Sequence, residues 1–293
     1  MNNSPLKGLV ALLRLPYWLM TGGLSLLTAF ALLKDPLSMN LQTALLIFFS
    51  MAFITSAGFA INDYFDRESD AIIKPKRPIP AGNLTLKQVI AISSILFAIG
   101  LSLTYWLPPL SFVILAIDSL VLIFYSYLVK KKSGFLANIV VGILTGTAFL
   151  YGEAAISGTV TLISIALYPI AFGTIGGNVL RDVLSVEGDT KVGYPTLPQK
   201  IGNYNAAKVG AIFFLLTGLL APLPALPIFT NHFTLYYLPL ILTWSALLIY
   251  SAINLLISGS TIQNIRKYER IVTMSMILLP LALIVEAIAR WLI

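Results

Sequence analysis

The stretch LQTALLIFFSMAFITSAGFAINDYFDRESD, residues 41–70, joins an apolar run over 41–61 to a strongly acidic segment over 62–70. A helix needs about 20 apolar residues to cross a hydrocarbon core of about 30 Å, and the run over 41–61 is that long. Carboxylates are costly at membrane depth and usually have a function there. The stretch therefore predicts a membrane-spanning helix with a functional acidic site at its end.

The composition of the whole chain agrees with a membrane protein. Of its 293 residues 58% are hydrophobic and 11% charged, against about 45–50% and about 25% in soluble domains. The mean hydropathy is +0.89. The chain has no cysteine and one histidine, which excludes thiolate nucleophiles, cysteine-ligated metals and histidine-rich metal sites. These values exclude an ordinary soluble enzyme.

Apolar runs of membrane-spanning length occur along the whole sequence. They predict an all-α, polytopic membrane protein with nine transmembrane helices in a single domain over residues 1–293. The predicted spans are residues 10–33, 41–61, 88–107, 109–129, 135–150, 160–180, 207–228, 235–257 and 271–292.

Lysine and arginine predict the orientation, since cytosolic loops carry an excess of these residues. If the chain crosses the membrane nine times, all of its 19 lysines and arginines except Lys34 and Arg290 lie on the same side as the amino terminus. We therefore expect a cytosolic amino terminus, an outside carboxyl terminus and location in the cell membrane. This topology also explains the net charge of +7 without any nucleic-acid partner.

The acidic residues are concentrated in two segments at the predicted cytosolic ends of the second and sixth spans. The segment Asn62-Asp-Tyr-Phe-Asp-Arg-Glu-Ser-Asp70 matches Arg181-Asp-Val-Leu-Ser-Val-Glu-Gly-Asp189 at its second, seventh and ninth positions. Membrane proteins with internal repeats often bind their ligand between them. The internal similarity therefore predicts one site that is shared by the motifs at 62–70 and 178–189.

Helical geometry predicts that each motif presents oxygen ligands on one face. At about 100° per residue, each of two sets falls within an arc of about 100° or less. These sets are Asn62, Asp63, Asp66 and Asp70, and Asn178, Asp182, Ser185 and Asp189. Carboxylates that face each other repel, so a cation is expected between them. A set of ligands made only of oxygens suits Mg²⁺, whose coordination shell is commonly completed by phosphate oxygens of a substrate. The alternative is that these acids are solvated helix caps or partners of nearby bases.

Basic and polar side chains near the acids are candidates for binding a phosphate or diphosphate. The proline-rich loop Lys74-Pro-Lys-Arg-Pro-Ile-Pro80 would hold Lys74 and Arg77 close to the metal, where cations neutralise a departing diphosphate. The full set of expected substrate-binding residues is Arg14, Lys74, Arg77, Tyr125, Lys130, Asn138, Asn178 and Ser185.

These motifs resemble the signatures of a known family. Asn62-Asp-x-x-Asp-x-x-x-Asp70, followed by Lys-Pro-Lys-Arg-Pro-Ile-Pro-Ala-Gly82, resembles the first signature of the UbiA-type intramembrane prenyltransferases. The stretch Asp182 to Asp189, leading to Gly193 and Thr196-Leu-Pro198, resembles the second. The nine-span layout agrees, so the resemblance covers essentially the whole chain.

The resemblance implies a fold, a reaction and a set of roles. Nine helices would surround a central cavity, and two Mg²⁺ ions would bridge the substrate diphosphate. The enzyme would move a polyprenyl group from its diphosphate to a lipophilic acceptor in the lipid bilayer. Asn62, Asp66 and Asp70 would hold one ion, Asp182 and Asp189 the other, and Arg77, Lys74 and Lys130 would bind the diphosphate. The catalytic residues would be Asp66, Asp70, Asp182 and Asp189.

Ser185 departs from the family pattern, because many members have aspartate at this place. Serine there is similar to the chlorophyll synthase branch, whereas the first motif is similar to both that branch and the archaeal ether-lipid branch. The compact length favours a geranylgeranyl donor and geranylgeranylglyceryl phosphate as the acceptor. An aromatic acceptor of the 4-hydroxybenzoate type or a chlorophyllide-like tetrapyrrole is the alternative, and a cation transporter is a remote one.

Overall fold

A computed structural model describes residues 4–229, 234–257 and 261–292. In this part of the chain all regular structure is helical, and nine helices are long and apolar enough to cross a membrane. The predicted fold class and the predicted number of spans are confirmed. The nine helices are α1 Pro5–Leu32, α2 Leu41–Phe65, α3 Leu86–Trp106, α4 Pro109–Lys132, α5 Gly134–Ser157, α6 Leu162–Lys191, α7 Leu197–Ala225, α8 Leu235–Ile257 and α9 Ile262–Leu292.

Side chains of the preceding residues fix where several helices begin. Asn40 accepts a hydrogen bond from the Thr43 amide before α2. Thr85 and Gln88 form a reciprocal capping box before α3. Such caps satisfy backbone amides that have no partner within the helix. Pro109 occupies the first turn of α4, so Pro108-Pro109 forms a tight reversal between α3 and α4.

Several helices extend well beyond the apolar runs. α6 continues to Lys191 rather than residue 180, and α7 begins at Leu197 rather than residue 207. Hydropathy falls where polar residues begin, but backbone hydrogen bonding continues into them, and a Thr196–Gln199 capping box starts α7 early. The polar ends of these helices carry the site.

The first span is not one straight helix. A first helical segment runs from Pro5 to Leu13, and Arg14 follows it in the left-handed conformation with φ 49°. A side chain at positive φ is uncommon and costs free energy unless the surroundings hold it. Asp63 holds this one, because it binds the Arg14 guanidinium at 2.6 Å. The break therefore points Arg14 towards the acidic segment.

The helices pack in sequence around the bundle. α2 packs against α3 and α4, α4 against α5, α5 against α6, and α6 to α9 follow in order until α9 meets α1. Glycines allow the closest approaches: a Cβ at Gly152 of α5 would lie 2.4 Å from the Ser25 backbone oxygen of α1. The ends of α2, α4 and α6 lie at the same end of the bundle, which brings the two acidic segments together.

Candidate active site

The first acidic segment is divided by a break in the helix. α2 ends at Phe65, Asp66 has φ −88° and ψ 0°, and a short helix runs over Arg67–Ile73. The helix expected to run without a break from Asn62 to Asp70 is therefore interrupted at Asp66, although Asn62 still donates to Asp66 and Arg77 binds both Asp63 and Asp70.

Asp63 and Asp70 are bound by arginines. Arg77 donates to Asp63 Oδ1 at 2.5 Å and to Asp70 Oδ2 at 2.8 Å, and Arg14 donates to Asp63 at 2.6 Å. The carboxylates are about 3% exposed, whereas the Arg14 and Arg77 side chains keep about 20% of their surface accessible. The proline-rich loop thus brings Arg77 onto the acids, as the sequence predicts.

Asp66 collects partners from three parts of the chain. Lys130, at the end of α4, forms an ion pair with Asp66 Oδ2. Asn62 donates to the same oxygen at 2.8 Å, and the Tyr194 hydroxyl donates to Asp66 Oδ1 at 2.9 Å. These contacts leave Asp66 buried, with 3% of its surface exposed.

Tyr194 is a site residue that the sequence analysis missed. Its hydroxyl lies 2.7 Å from Ser69 Oγ as well as contacting Asp66, and Lys130 Nζ lies 5.2 Å from the centre of its ring. Burial, with Asp66 beside the hydroxyl, raises the pKa of Tyr194 above its ordinary value. The hydroxyl therefore keeps its proton and remains a donor to Asp66. The only sequence signal is its position in the turn that follows the second acidic segment.

The second acidic segment lies on a continuous part of α6, as predicted. Asn138 of α5 donates to Asp182 Oδ2 at 2.7 Å, and Ser185 Oγ donates to Asp189 Oδ2 at 2.7 Å. Asn178 instead accepts a hydrogen bond from Arg181 at 3.1 Å. Apart from Arg181, which the sequence analysis did not select, these are the residues expected on this face.

Direct contacts link the two segments. Tyr194, which follows the second segment, contacts Asp66 and Ser69 of the first, and Lys130, which is paired with Asp66, lies over the Tyr194 ring. Asn138 contacts Asp182 from α5, and Tyr125 lies on α4 five residues before Lys130. The internal similarity in the sequence corresponds to one cluster in space.

Lys74 and Asp70 show how strongly this cluster is shielded from water. Burial raises the pKa of Asp70, and the neighbouring Arg77 opposes this effect. Burial and the positive charge of Arg77 lower the pKa of Lys74. The Lys74 side chain forms no hydrogen bond within the described residues, so its ammonium is available for an anion.

The donor set of the site fits a hard divalent cation. Asn62 Oδ1 is buried and accepts no hydrogen bond within the described residues, although it is next to the Asp66 carboxylate. A buried amide oxygen without a partner is costly, and oxygen ligands of this kind suit Mg²⁺. Among the described residues, however, no three acidic or histidine side chains come close enough to hold a metal by themselves. The carboxylates of the first segment are instead paired with Arg14, Arg77 and Lys130.

Three buried acids lie away from this cluster. Glu286 of α9 is fully buried and accepts hydrogen bonds from the Thr234 amide and hydroxyl. Glu153 of α5 accepts three hydrogen bonds from Thr161 and Ser164. Asp118 accepts one from Thr147. Glu153 and Glu286 hold the ends of neighbouring segments, which is a structural role.

Comparison with known proteins agrees with this geometry. The sequence matches the UbiA prenyltransferase family over residues 23–278. The chain belongs to the UbiA prenyltransferase family. It is a multi-pass membrane enzyme, and its activity is that of a prenyltransferase. The resemblance seen in the two acidic motifs is therefore confirmed at the level of the family.

Curated relatives and solved structures resemble this UbiA-family chain over most of its length. The digeranylgeranylglyceryl phosphate synthase of Natronomonas pharaonis is 37% identical over 222 residues, covering 75% of this chain and 78% of the relative. The corresponding enzyme of Methanococcoides burtonii is 36% identical, covering 67% and 69%.

Two solved structures show how far the fold similarity extends. A digeranylgeranylglyceryl phosphate synthase superposes with a TM-score of 0.81 at 29% identity, covering 97% of this chain and 99% of that one. A UbiA homologue from Archaeoglobus fulgidus, bound to DMAPP and Mg²⁺, superposes with a TM-score of 0.71 at 20% identity, covering 98% and 99%. The likeness to the second structure concerns the fold alone.

Proposed function

We propose that this prenyltransferase moves a geranylgeranyl group from geranylgeranyl diphosphate to the free hydroxyl of geranylgeranylglyceryl phosphate. The observation that carries the proposal is the cluster in which Arg77 and Lys130 cover three buried carboxylates beside an unpartnered amide oxygen. Such a cluster suits a ligand that is anionic and bound through a metal. The choice of acceptor follows the curated relatives that are 36–37% identical.

The residues of the two acidic segments would hold two Mg²⁺ ions between them. Asn62, Asp66 and Asp70 are assigned to one ion, and Asp182 and Asp189 to the other. Magnesium, when bound, supplies Lewis-acid stabilisation of the negative charge that develops on the leaving diphosphate. Asp63, which the sequence places among the metal ligands, is bound to two arginines, and we assign it the role of holding Arg77.

Arg77, Lys74 and Lys130 are assigned to the diphosphate. Arg77 and Lys130 are bound to carboxylates that would turn to the metal, so each base can exchange a carboxylate for a phosphate oxygen without leaving a charge unpaired. Fixed cations of this kind stabilise a leaving diphosphate more strongly in a site shielded from water. The allylic C–O bond breaks and its electron pair leaves with the diphosphate, while the acceptor hydroxyl oxygen forms the new bond to the allylic carbon and gives up its proton, which the released diphosphate can accept.

The site would face the cytosol, with the amino terminus on the same side and the carboxyl terminus outside. This orientation is supported by the distribution of Lys and Arg, of which only Lys34 and Arg290 would lie outside. The chain would act as a single domain that combines both acidic motifs.

A panel of donors and acceptors tests the function. Purified protein is given geranylgeranyl diphosphate with geranylgeranylglyceryl phosphate, 4-hydroxybenzoate or chlorophyllide, with and without Mg²⁺, and the product is identified by mass. We expect a magnesium-dependent product from the glyceryl phosphate. A product from another acceptor alone would replace the proposed acceptor, and no magnesium-dependent product from any acceptor would contradict the proposed function.

A further inference from the structure

The second acidic segment shares its accessible face with a base that the diphosphate site does not use. Arg181 directly precedes Asp182 on α6, and its side chain is 54% exposed. At about 100° per residue, Arg181 lies within an arc of about 100° that also contains the accessible residues Asn178, Asp182, Ser185 and Asp189. Arg181 therefore lies at the edge of the helix face that carries the proposed metal ligands Asp182 and Asp189.

The guanidinium of Arg181 is fixed by acceptors from two helices. Arg181 Nε donates to Glu269 Oε1 of α9 at 3.2 Å, and NH1 donates to Asn178 Oδ1 at 3.1 Å. Glu269 is itself held by the Thr273 hydroxyl at 3.0 Å and is only 18% exposed. These contacts use part of the five N–H donors of the guanidinium and leave the rest for a ligand.

Arg181 is paired with Glu269, and three further bases lie next to this acid on α9. Arg266, Lys267 and Arg270 flank Glu269 on α9, and none of them forms an ion pair within the described residues. Arg14, Arg77 and Lys130 are, like Arg181, each bound to a carboxylate, but their carboxylates belong to the first acidic segment. Arg181 is the base beside the second segment that is oriented, accessible and outside the first-segment cluster.

The proposed reaction requires two separate phosphate sites, because the donor carries a diphosphate and the acceptor carries a phosphate of its own. The acceptor phosphate and the hydroxyl that reacts are carried by the same glycerol unit, so the base that binds this phosphate must lie close to the metal ligands. A planar guanidinium is well suited to a phosphate, which it can bind through two parallel hydrogen bonds.

We propose that Arg181, oriented by Glu269 and Asn178, binds the phosphate of the acceptor lipid and selects phosphorylated acceptors. This inference rests on the proposed function, since it assigns a residue to the acceptor of that reaction. Arg77 and Lys130 take the donor, and Arg181 takes the acceptor.

Kinetics with paired acceptors test the assignment. The full chain in lipid nanodiscs receives geranylgeranyl diphosphate and either geranylgeranylglyceryl phosphate or geranylgeranylglycerol, which lacks the phosphate. For Arg181→Met we expect the KM for the phosphorylated acceptor to rise by about 10- to 100-fold, the effect of one charge-assisted interaction. The KM for the donor and the rate with the unphosphorylated acceptor stay unchanged, and Arg181→Lys has an intermediate KM.

A matched control removes a base at the same end of the bundle. Lys208 of α7 lies over the Tyr204 ring, away from both acidic segments, and Lys208→Met should leave both acceptors unaffected. If Arg181→Met still prefers the phosphorylated acceptor as the unmodified protein does, or loses both acceptors equally, the assignment is overturned while the proposed function stands. If the unmodified protein makes no product from geranylgeranylglyceryl phosphate, the proposed function itself fails.

Discussion

Tyr194 and Asp66 are 128 residues apart in the chain, yet the Tyr194 hydroxyl lies 2.9 Å from Asp66 Oδ1. Tyr194 follows the second acidic segment, and Asp66 belongs to the first. The hydrogen bond thus joins the first acidic segment to the turn that follows the second. It fixes one oxygen of an expected metal ligand, while Lys130 and Asn62 contact the other.

Removing this hydroxyl should weaken metal binding rather than the fold. For Tyr194→Phe we expect the Mg²⁺ concentration at half-maximal rate to rise by about 3- to 10-fold, because loss of one hydrogen bond costs about 0.5–1.5 kcal/mol. The measurement is a magnesium titration of the transfer rate at saturating donor. Tyr204→Phe, on the exposed surface of α7, serves as the control. An unchanged magnesium requirement would show that Tyr194 has no influence on Asp66.

The carboxylates at Asp66 and Asp189 should both be required for transfer. Asn is preferred to Ala at both positions because an amide oxygen can still accept a hydrogen bond, from Lys130 at position 66 and from Ser185 at position 189. The variants are therefore Asp66→Asn and Asp189→Asn. We expect each to lower turnover at least 100-fold, equivalent to about 2.7 kcal/mol of transition-state stabilisation. Glu68→Gln is the control, since the Glu68 side chain is 86% exposed. More than about a tenth of the activity in either variant would exclude its proposed metal role.

The number of spans could be predicted from the sequence because hydropathy over about 20 residues is a local property. The ends of the helices could not, because a capping box such as Thr196–Gln199 continues a helix through residues that hydropathy assigns to a loop. The break at Asp66 has no proline or glycine beside it and therefore leaves no sequence signal.

The composition of the site was partly predictable, whereas its pairings were not. Acids and bases at the ends of apolar runs stand out in a chain with few charges. Their partners depend on tertiary packing: Lys130 meets Asp66 across 64 residues, and Arg181 meets Glu269 across 88. Tyr194 and Arg181 were missed because a tyrosine in a turn and an arginine on the cytosolic side have ordinary explanations.

The proposed orientation can be measured by labelling, because the chain has no native cysteine. Glu68→Cys and Glu187→Cys report on the two acidic segments, and Tyr105→Cys, which is 82% exposed near the end of α3, reports on the opposite end of the bundle. We expect a membrane-impermeant maleimide to label Cys variants of the first two positions only from the cytosolic face and the third only from outside. Labelling of the two segments from opposite faces would end the argument for a shared site.

The contact between α1 and α5 should depend on Gly152. A Cβ there would lie 2.4 Å from the Ser25 backbone oxygen, which cannot move without shifting α1. For Gly152→Ala we expect a lower melting temperature in detergent, consistent with a cost of about 1–3 kcal/mol for overpacking. Gly23→Ala is the matched control, because the nearest atom to its Cβ would be 3.9 Å away. Equal melting temperatures for both variants would contradict the close approach of the two helices.

Ser185 provides the sharpest test of the second acidic segment. Its hydroxyl donates to Asp189 Oδ2 at 2.7 Å, so the residue lies beside a carboxylate that we assign to a metal. In Ser185→Asp, two carboxylates would face each other without the metal, and the added negative charge would strengthen cation binding. We therefore expect this variant to keep its activity, to need less Mg²⁺ for half-maximal rate, and to gain more thermal stability from Mg²⁺ than the unmodified protein does.

If Ser185 contacts the acceptor instead, the substitution raises the acceptor KM and leaves the magnesium requirement unchanged. Separate titrations of magnesium and acceptor distinguish these outcomes, with Ser185→Ala as the control that removes the hydrogen bond without adding charge, and a variant unchanged in both titrations would place Ser185 outside the site.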